Sequence, residues 1–140
     1  MRFEENLRFR TDGDVLWRRV SDIASIPNHW HGTKSITITG QQGGGVLARV
    51  EFAFGGSGEV RIVADQARKT LTINYLSGPF RGTQVVRVEC GMLSANWDVS
   101  FNGIYRLLGR WNESHFREGT KHALERLDGR GDEEARSRES

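Results

Sequence analysis

The sequence predicts an α+β domain in which one antiparallel sheet is covered on one face by a long helix near the end of the chain. Seven runs of residues alternate between apolar and polar side chains, which is the period of two of a half-buried strand. A later segment, from about Arg110 to Leu127, instead repeats apolar or small residues every three or four positions, as one face of a helix does. A helix of that length extends about 27 Å and needs a broad surface to pack on.

The composition fits a single domain with a short tail. The chain has 140 residues, of which 36% are hydrophobic and 27% are charged, and this is enough for one core and too short for two. We expect the domain to span residues 1–128 and the charged segment 129–140 to be disordered, because it has almost no hydrophobic anchor. Twenty basic and eighteen acidic residues are mixed along the chain, so nucleic-acid binding is not expected.

The expected compartment is the cytoplasm. A single cysteine, Cys90, excludes an internal disulfide. The first residues lack the apolar region of a signal peptide, and no run of about eighteen apolar residues is long enough to span a bilayer. We therefore expect no membrane insertion.

The first predicted strand is marked by Phe3, Leu7 and Phe9, which occupy alternate positions. Glu5 shares the parity of these apolar residues. Its carboxylate is expected either near a strand end in water or in an inward polar contact, because ionised carboxylates resist burial.

Two short helical segments are predicted next. Residues 11–14 form a turn and cap, and residues 15–20 form a helix that directs Leu16, Trp17 and Val20 to the core. A second helical turn covers residues 22–26. We expect Pro27 to stop it, because proline cannot donate to a helix and restricts the residue before it.

From Lys34 onward, six alternating runs separated by glycine-containing turns predict an antiparallel meander. Polar residues fill the alternate positions, so the sheet should have one dry face and one wet face. The residues predicted on the dry face are Ile36, Ile38, Val46, Ala48, Val50, Phe52, Phe54, Val60, Ile62, Ala64, Leu71, Ile73, Tyr75, Val86, Val88, Cys90, Leu93, Ala95, Trp97, Val99 and Phe101.

The terminal helix is expected to pack on this dry face. Its apolar or small positions are Phe116, Gly119, Thr120, Ala123, Leu124 and Leu127. Asn112 or Ser114 is a candidate cap, and Gly129 can adopt the left-handed conformation that ends helices. The apolar segment 104–108 links the last strand to this helix.

The order of these elements and several residues resemble a known superfamily. The opening carries Phe9, Trp17, Val20-Ser21-Asp22, Ile26-Pro27 and Trp30-His31-Gly32, and the terminal helix carries Gly119-x-x-x-Ala123-Leu124-x-x-Leu127. This series, over residues 1 to about 128, resembles the START-like superfamily of polyketide cyclases, coenzyme-Q-binding proteins and lipid-transfer proteins. Thr11-Asp12 departs from the Ala-Pro that the superfamily usually has before the first helix.

The resemblance implies a helix-grip fold, with a curved seven-stranded sheet wrapped around the terminal helix and two short helices between strands 1 and 2. It also implies a cavity for an apolar ligand between helix and sheet. Each aromatic residue on a dry face also fits a plain core role. The candidate ligand-binding residues are Trp30, Phe52, Phe54, Tyr75, Phe80, Gln84, Trp97, Phe101, Leu108, His115, Phe116, Gly119 and Ala123.

Four glycine-containing or apolar segments are expected around the mouth of such a cavity: residues 30–33, 55–58, 77–82 and 104–111. No catalytic residue, cofactor or metal site is predicted. His29, His31 and His115 lack a nearby cysteine or carboxylate cluster that would complete a metal site.

The sequence thus favours a protein that binds or transports a hydrophobic small molecule, such as a lipid, a quinone or a polyketide-like compound. One alternative is a cyclase or dehydratase that uses the same cavity, which requires inward polar or titratable groups, and only Glu5, Gln84, Tyr75 and His115 are candidates. The other is a protein-interaction module without a ligand, which would use its sheet edge or an exposed aromatic such as Trp111. The oligomeric state stays open.

Overall fold

The computed structural model describes residues 1–130, apart from the side chains of residues 108–111. A single antiparallel sheet contains seven strands in the order β1-β7-β6-β5-β4-β3-β2, so that β1 and β2 are its edges. The strands are β1 (Arg2–Arg8), β2 (Thr33–Gln42), β3 (Gly45–Phe52), β4 (Ser57–Asp65), β5 (Thr70–Tyr75), β6 (Phe80–Glu89) and β7 (Met92–Phe101). Helices α1 (Gly13–Ser21) and α2 (Ile26–His29) lie between β1 and β2, and helix α3 (Gly109–Leu127) follows β7. The predicted α+β helix-grip fold is confirmed.

The dry face of the sheet forms most of the core, because the strands alternate inward apolar and outward polar residues as expected. Four of its predicted members are exposed instead. Phe54 follows the end of β3 and is 41% exposed. Ile38 is 54% exposed, beside a register shift on edge strand β2, and Ala64 near the end of β4 is also exposed. Cys90 is exposed because it lies in the β6–β7 turn with a φ of 50°.

The short helices differ from the prediction at two boundaries. Helix α1 begins at Gly13, two residues early, because the Asp12 carboxylate accepts the amides of Asp14 (2.9 Å) and Val15 (3.2 Å) and caps the helix there. Pro27 does not stop a helix. It lies in the first turn of α2, where the missing N–H would have no intrahelical partner in any case.

Helix α3 buries Thr120, Ala123, Leu124 and Leu127, and Phe116 is half-buried. Asn112 is not its cap. It lies inside the helix and its Nδ2 donates to the carbonyl oxygen of Tyr105 (3.0 Å), across the 3₁₀ turn Gly103–Leu108. Ser114, the other candidate, also lies inside the helix.

The contacts of α3 with the sheet are concentrated on β1 and β7, at one edge. Glu5 of β1 makes the inward polar contact, since its Oε1 lies 3.6 Å from Nη1 of Arg117. The Arg117 guanidinium in turn stands 4.8 Å from the ring centre of Phe3. Packing at this edge holds α3 near β1 and β7 and leaves room over the middle of the sheet.

The end of α3 is tied to the β1–α1 turn by Asp128, whose side chain is fully buried. Its carboxylate accepts the amides of Arg10 and Thr11 (2.9–3.1 Å) and Nε of Arg130 (2.9 Å). Gly129, with a φ of 80°, ends the helix as predicted.

Arg130 falls in the segment expected to be a tail, yet it also donates to the backbone carbonyl of Arg8. The rest of the expected tail, 131–140, lies outside the described residues. None of the described helices combines the length and the apolar character needed to cross a bilayer.

Candidate functional site

A cavity of about 300 Å³ lies between α3, the loop after α2 and the middle of the sheet. This volume is at the lower end of the range typical of small-molecule sites, which is about 300 to 1,000 Å³. Most of the predicted ligand-binding residues lie on its wall. They are Trp30, Phe52, Phe54, Tyr75, Phe80, Gln84, Trp97, His115, Phe116 and Gly119.

Of the other three predicted residues, two do not line the cavity, and the side chain of the third is not described. Phe101 packs behind the wall, with its ring centre 5.8 Å from that of Phe80 and 5.7 Å from that of Phe116. Ala123 is fully buried in the core one turn further along α3. The side chain of Leu108 lies outside the described part of the structure.

Further wall residues were absent from the prediction, namely Ile26, His31, Gly32, Thr33, Ala53, Ile73, Thr120, His122 and Arg126. Some of these residues could have been predicted from sequence features. Ile73 shares the dry-face parity of Tyr75, Thr120 lies on the apolar stripe of α3, and residues 30–33 were expected at the mouth. Arg126 had none, because helical periodicity assigns it to the solvated face.

Aromatic rings form the apolar wall. The indole of Trp97 lies nearly parallel to the ring of Tyr75 (centroids 5.8 Å apart, 13° between planes) and to that of Phe3 (6.3 Å, 20°). Phe116 of α3 meets Trp97 edge-on at 5.2 Å. Trp97 therefore packs directly against α3, and the cavity lies beside that contact. Trp97, Tyr75 and Phe116 all line the cavity, so their rings supply part of its apolar wall.

Two buried polar pairs interrupt this wall. The Trp97 indole Nε1 donates to Oγ1 of Thr120 (3.0 Å), which joins β7 to α3. The Tyr75 hydroxyl donates to Oε1 of Gln84 (3.0 Å), which joins β5 to β6. Burial raises the pKa of Tyr75 well above its usual value, so this phenol stays protonated and remains a donor. These pairs are suited to hydrogen bonding and not to proton transfer at neutral pH.

The mouth is more polar than the interior. His122 lies 3.1 Å from a carboxylate oxygen of Glu118, and Arg126 donates to the carbonyl oxygen of His29 (3.1 Å). Phe54, 41% exposed, packs on Phe52 at 5.4 Å between ring centres.

Residues 1–130 contain no group of three metal-ligating side chains close enough to share an ion.

Tyr105 extends this edge of the mouth. Its ring contacts that of Phe54 at 5.9 Å, which brings the 3₁₀ turn Gly103–Leu108 beside the opening, as expected for part of segment 104–111. Two apolar side chains of the turn, Ile104 and Leu107, are exposed.

Comparison with known proteins identifies the fold. No protein-family model matches the sequence, and no curated protein matches it. Among solved structures, the Zhui aromatase/cyclase from Streptomyces sp. R1128 superposes with a TM-score of 0.73 at 13% identity, covering 94% of this chain and 93% of that one. A START superfamily protein from Mycobacterium smegmatis gives 0.67 at 14% identity, covering 90% and 98%.

A STAR-related lipid transfer protein from Xanthomonas axonopodis gives a TM-score of 0.62 at 7% identity, covering 90% of this chain and 85% of that one. The architecture is thus of the helix-grip class. More particularly, the chain has the START-like fold that these aromatase/cyclase and lipid-transfer structures share, as the sequence resemblance implied. At these identities the likeness establishes the fold and not the function.

Proposed function

We propose that this protein binds a hydrophobic small molecule, such as a lipid, a quinone or a polyketide-like compound, in the cavity between α3 and the sheet. The observation that carries the proposal is the cavity itself, which opens over the dry face and whose lining includes seven phenylalanine, tyrosine or tryptophan residues. No carboxylate is among the described residues that line it. Such a site suits an apolar body, because binding removes apolar surface of both partners from water.

A cyclase or dehydratase that uses the same cavity is the second candidate, favoured by the structural similarity to the Zhui aromatase/cyclase. His31, His115 and His122 are the histidines on the wall. The buried groups beside an occupant, however, are the protonated Tyr75, the Gln84 amide, the Trp97 indole and the Thr120 hydroxyl, none of which accepts a proton near neutral pH. Holding or transporting the ligand unchanged therefore fits the interior better.

A thermal-shift screen against lipids, quinones and aromatic polyketides tests the proposal. A ligand held only by the folded state raises the melting temperature by mass action, so at least one class should give a saturable increase. The bound compound should be recovered with its mass unchanged. A product that has lost water would support the dehydratase alternative instead. If no class gives a saturable shift, the interaction module without a ligand becomes the better account.

Gly119 allows the cavity to be filled without disturbing the fold. It lies on the wall, and a Cβ added there would meet no neighbouring atom within 4 Å. Leucine should therefore enter the open space and weaken binding at least about tenfold. Folding stability should stay level or rise by about 0.5 to 1 kcal/mol, because glycine is the poorer residue inside a helix.

Gly119→Ala is the matched control for this prediction. Alanine also has a higher helix propensity than glycine and adds only one methyl group. The melting temperature of this variant should therefore rise, and most of the ligand affinity should be kept. Titration of both variants with a ligand from the screen measures the difference. Equal affinity in Gly119→Leu and the unmodified protein would place the ligand elsewhere.

A further inference from the structure

Gln84 is an exception among the inward residues of the sheet, because it is a polar side chain in the middle of an apolar wall. It is 2% exposed and lines the cavity. Its register neighbours on β5 and β7 are Ile73 and Trp97. Oε1 accepts the Tyr75 hydroxyl, but Nε2 has no hydrogen-bond partner among the described residues. A buried amide without a partner is unfavourable, so this position needs an acceptor that the protein does not supply.

The orientation of the amide follows from its neighbour. The Tyr75 hydroxyl proton is buried and finds its acceptor in Oε1 of Gln84. If the amide were turned over, Nε2 would face the Tyr75 oxygen. The Tyr75 proton and Oε1 would then both lack partners, which is less favourable than leaving Nε2 alone without one. The unmatched group that faces an occupant of the cavity is therefore an N–H donor.

We infer that the Tyr75–Gln84 pair selects, among hydrophobic molecules, those that place a carbonyl or similar acceptor oxygen at the interior of the cavity, where the Gln84 amide donates to it. The aromatic rings among the lining residues, Trp97 and Tyr75 included, favour a flat aromatic body around that oxygen. The predicted ligand class is thus a planar aromatic ketone or quinone rather than a hydrocarbon chain. This inference rests on the proposed function and specifies the chemistry of its ligand.

The pair 9-fluorenone and fluorene tests this directly, because both are rigid planar tricycles and differ in a carbonyl in place of a methylene group. Equilibrium dialysis with chromatographic detection gives both dissociation constants at low solubility. Fluorenone should bind at least about tenfold more tightly, since a binding site with an unpaired polar group discriminates against a ligand that cannot pair with it.

Three variants separate this role from a structural one. Gln84→Leu should bring the ratio of the two affinities close to one while fluorene binding is kept. The double variant Tyr75→Phe with Gln84→Leu removes both polar partners together, so it should fold and show the same loss of selectivity. Thr83→Val changes the adjacent position of β6, which does not line the cavity, and should keep the preference for fluorenone.

The possible outcomes separate the role of Gln84 from the proposed ligand-binding function. If the unmodified protein binds both compounds equally, or if Gln84→Leu and the double variant keep the preference, the role of Gln84 is wrong although the cavity binds ligands. If neither compound binds, the inference fails. If the lipid and polyketide screen also gives no saturable shift, the proposed function fails with it.

Discussion

Replacing Leu127 with alanine is expected to lower the free energy of unfolding by about 2 to 5 kcal/mol, because the change deletes buried methyl groups and leaves a cavity in the core. Leu127 is 1% exposed and lies at the last turn of α3, where the helix packs into the core cluster. Denaturation with urea, followed by circular dichroism, measures the effect.

Leu107 offers the same chemical change in the opposite environment, since it is 85% exposed on the 3₁₀ turn before α3. Leu107→Ala should change the free energy of unfolding by no more than about 0.5 kcal/mol, as is usual for surface substitutions. Equal effects of the two alanine variants would mean that α3 does not pack on the core through this face.

Replacing Asp128 with alanine should cost about 3 to 5 kcal/mol, which is typical of removing one partner from a buried charge pair. Two backbone amides, of Arg10 and Thr11, would lose their acceptor together with the Arg130 guanidinium. The exposed pair Arg2–Asp98 supplies a control, because Asp98→Ala should cost no more than about 1 kcal/mol. Urea denaturation of both variants measures the difference, and similar small costs would contradict the role of Asp128.

The contribution of Asp128 should also depend on pH. Burial alone would raise the pKa of its carboxyl, but the hydrogen bonds from Thr11, Arg10 and Arg130 outweigh burial and hold the pKa below the ordinary value of 3.8. The stabilisation is therefore fully present above the unfolded-state pKa and is lost as the pH falls through the lower, folded-state value. Denaturation at pH 7 and near pH 3 should show that the advantage over Asp128→Asn shrinks in acid. An advantage that stays constant with pH would rule this out.

The strands and α3 could be predicted from sequence because a period of two or of 3.6 is a property of local backbone geometry. The seven strands and the inward parity of Gln84 follow from these periods. Gly129 at the helix end follows from the tolerance of glycine for a positive φ. Boundaries depend on local hydrogen bonds instead. Asp12 starts α1 earlier than the apolar pattern does, and Pro27, which was expected to end a helix, occupies the first turn of one.

The site was less predictable, because periodicity gives the facing of a residue but not its depth. Phe101 and Ala123 face the same interior as Trp97, yet Phe101 packs behind the wall and Ala123 is buried one turn further along α3. Arg126 reaches the mouth from a helix face that is polar in sequence. The cavity exists because α3 packs on the β1–β7 edge, and that is a tertiary arrangement that no local pattern records.

The most direct test of ligand binding between α3 and the sheet is a ¹⁵N NMR titration that follows the tryptophan indole N–H resonances, with any ligand that gives a saturable thermal shift. Trp97 and Trp30 line the cavity, whereas the Trp17 indole is bonded to Gln66 away from it and serves as an internal reference. Single tryptophan-to-phenylalanine variants assign the signals. We predict saturable shifts at Trp97 and Trp30 with little change at Trp17. Unmoved Trp97 and Trp30 signals at saturating ligand, or equal shifts at Trp17, would contradict binding in this cavity.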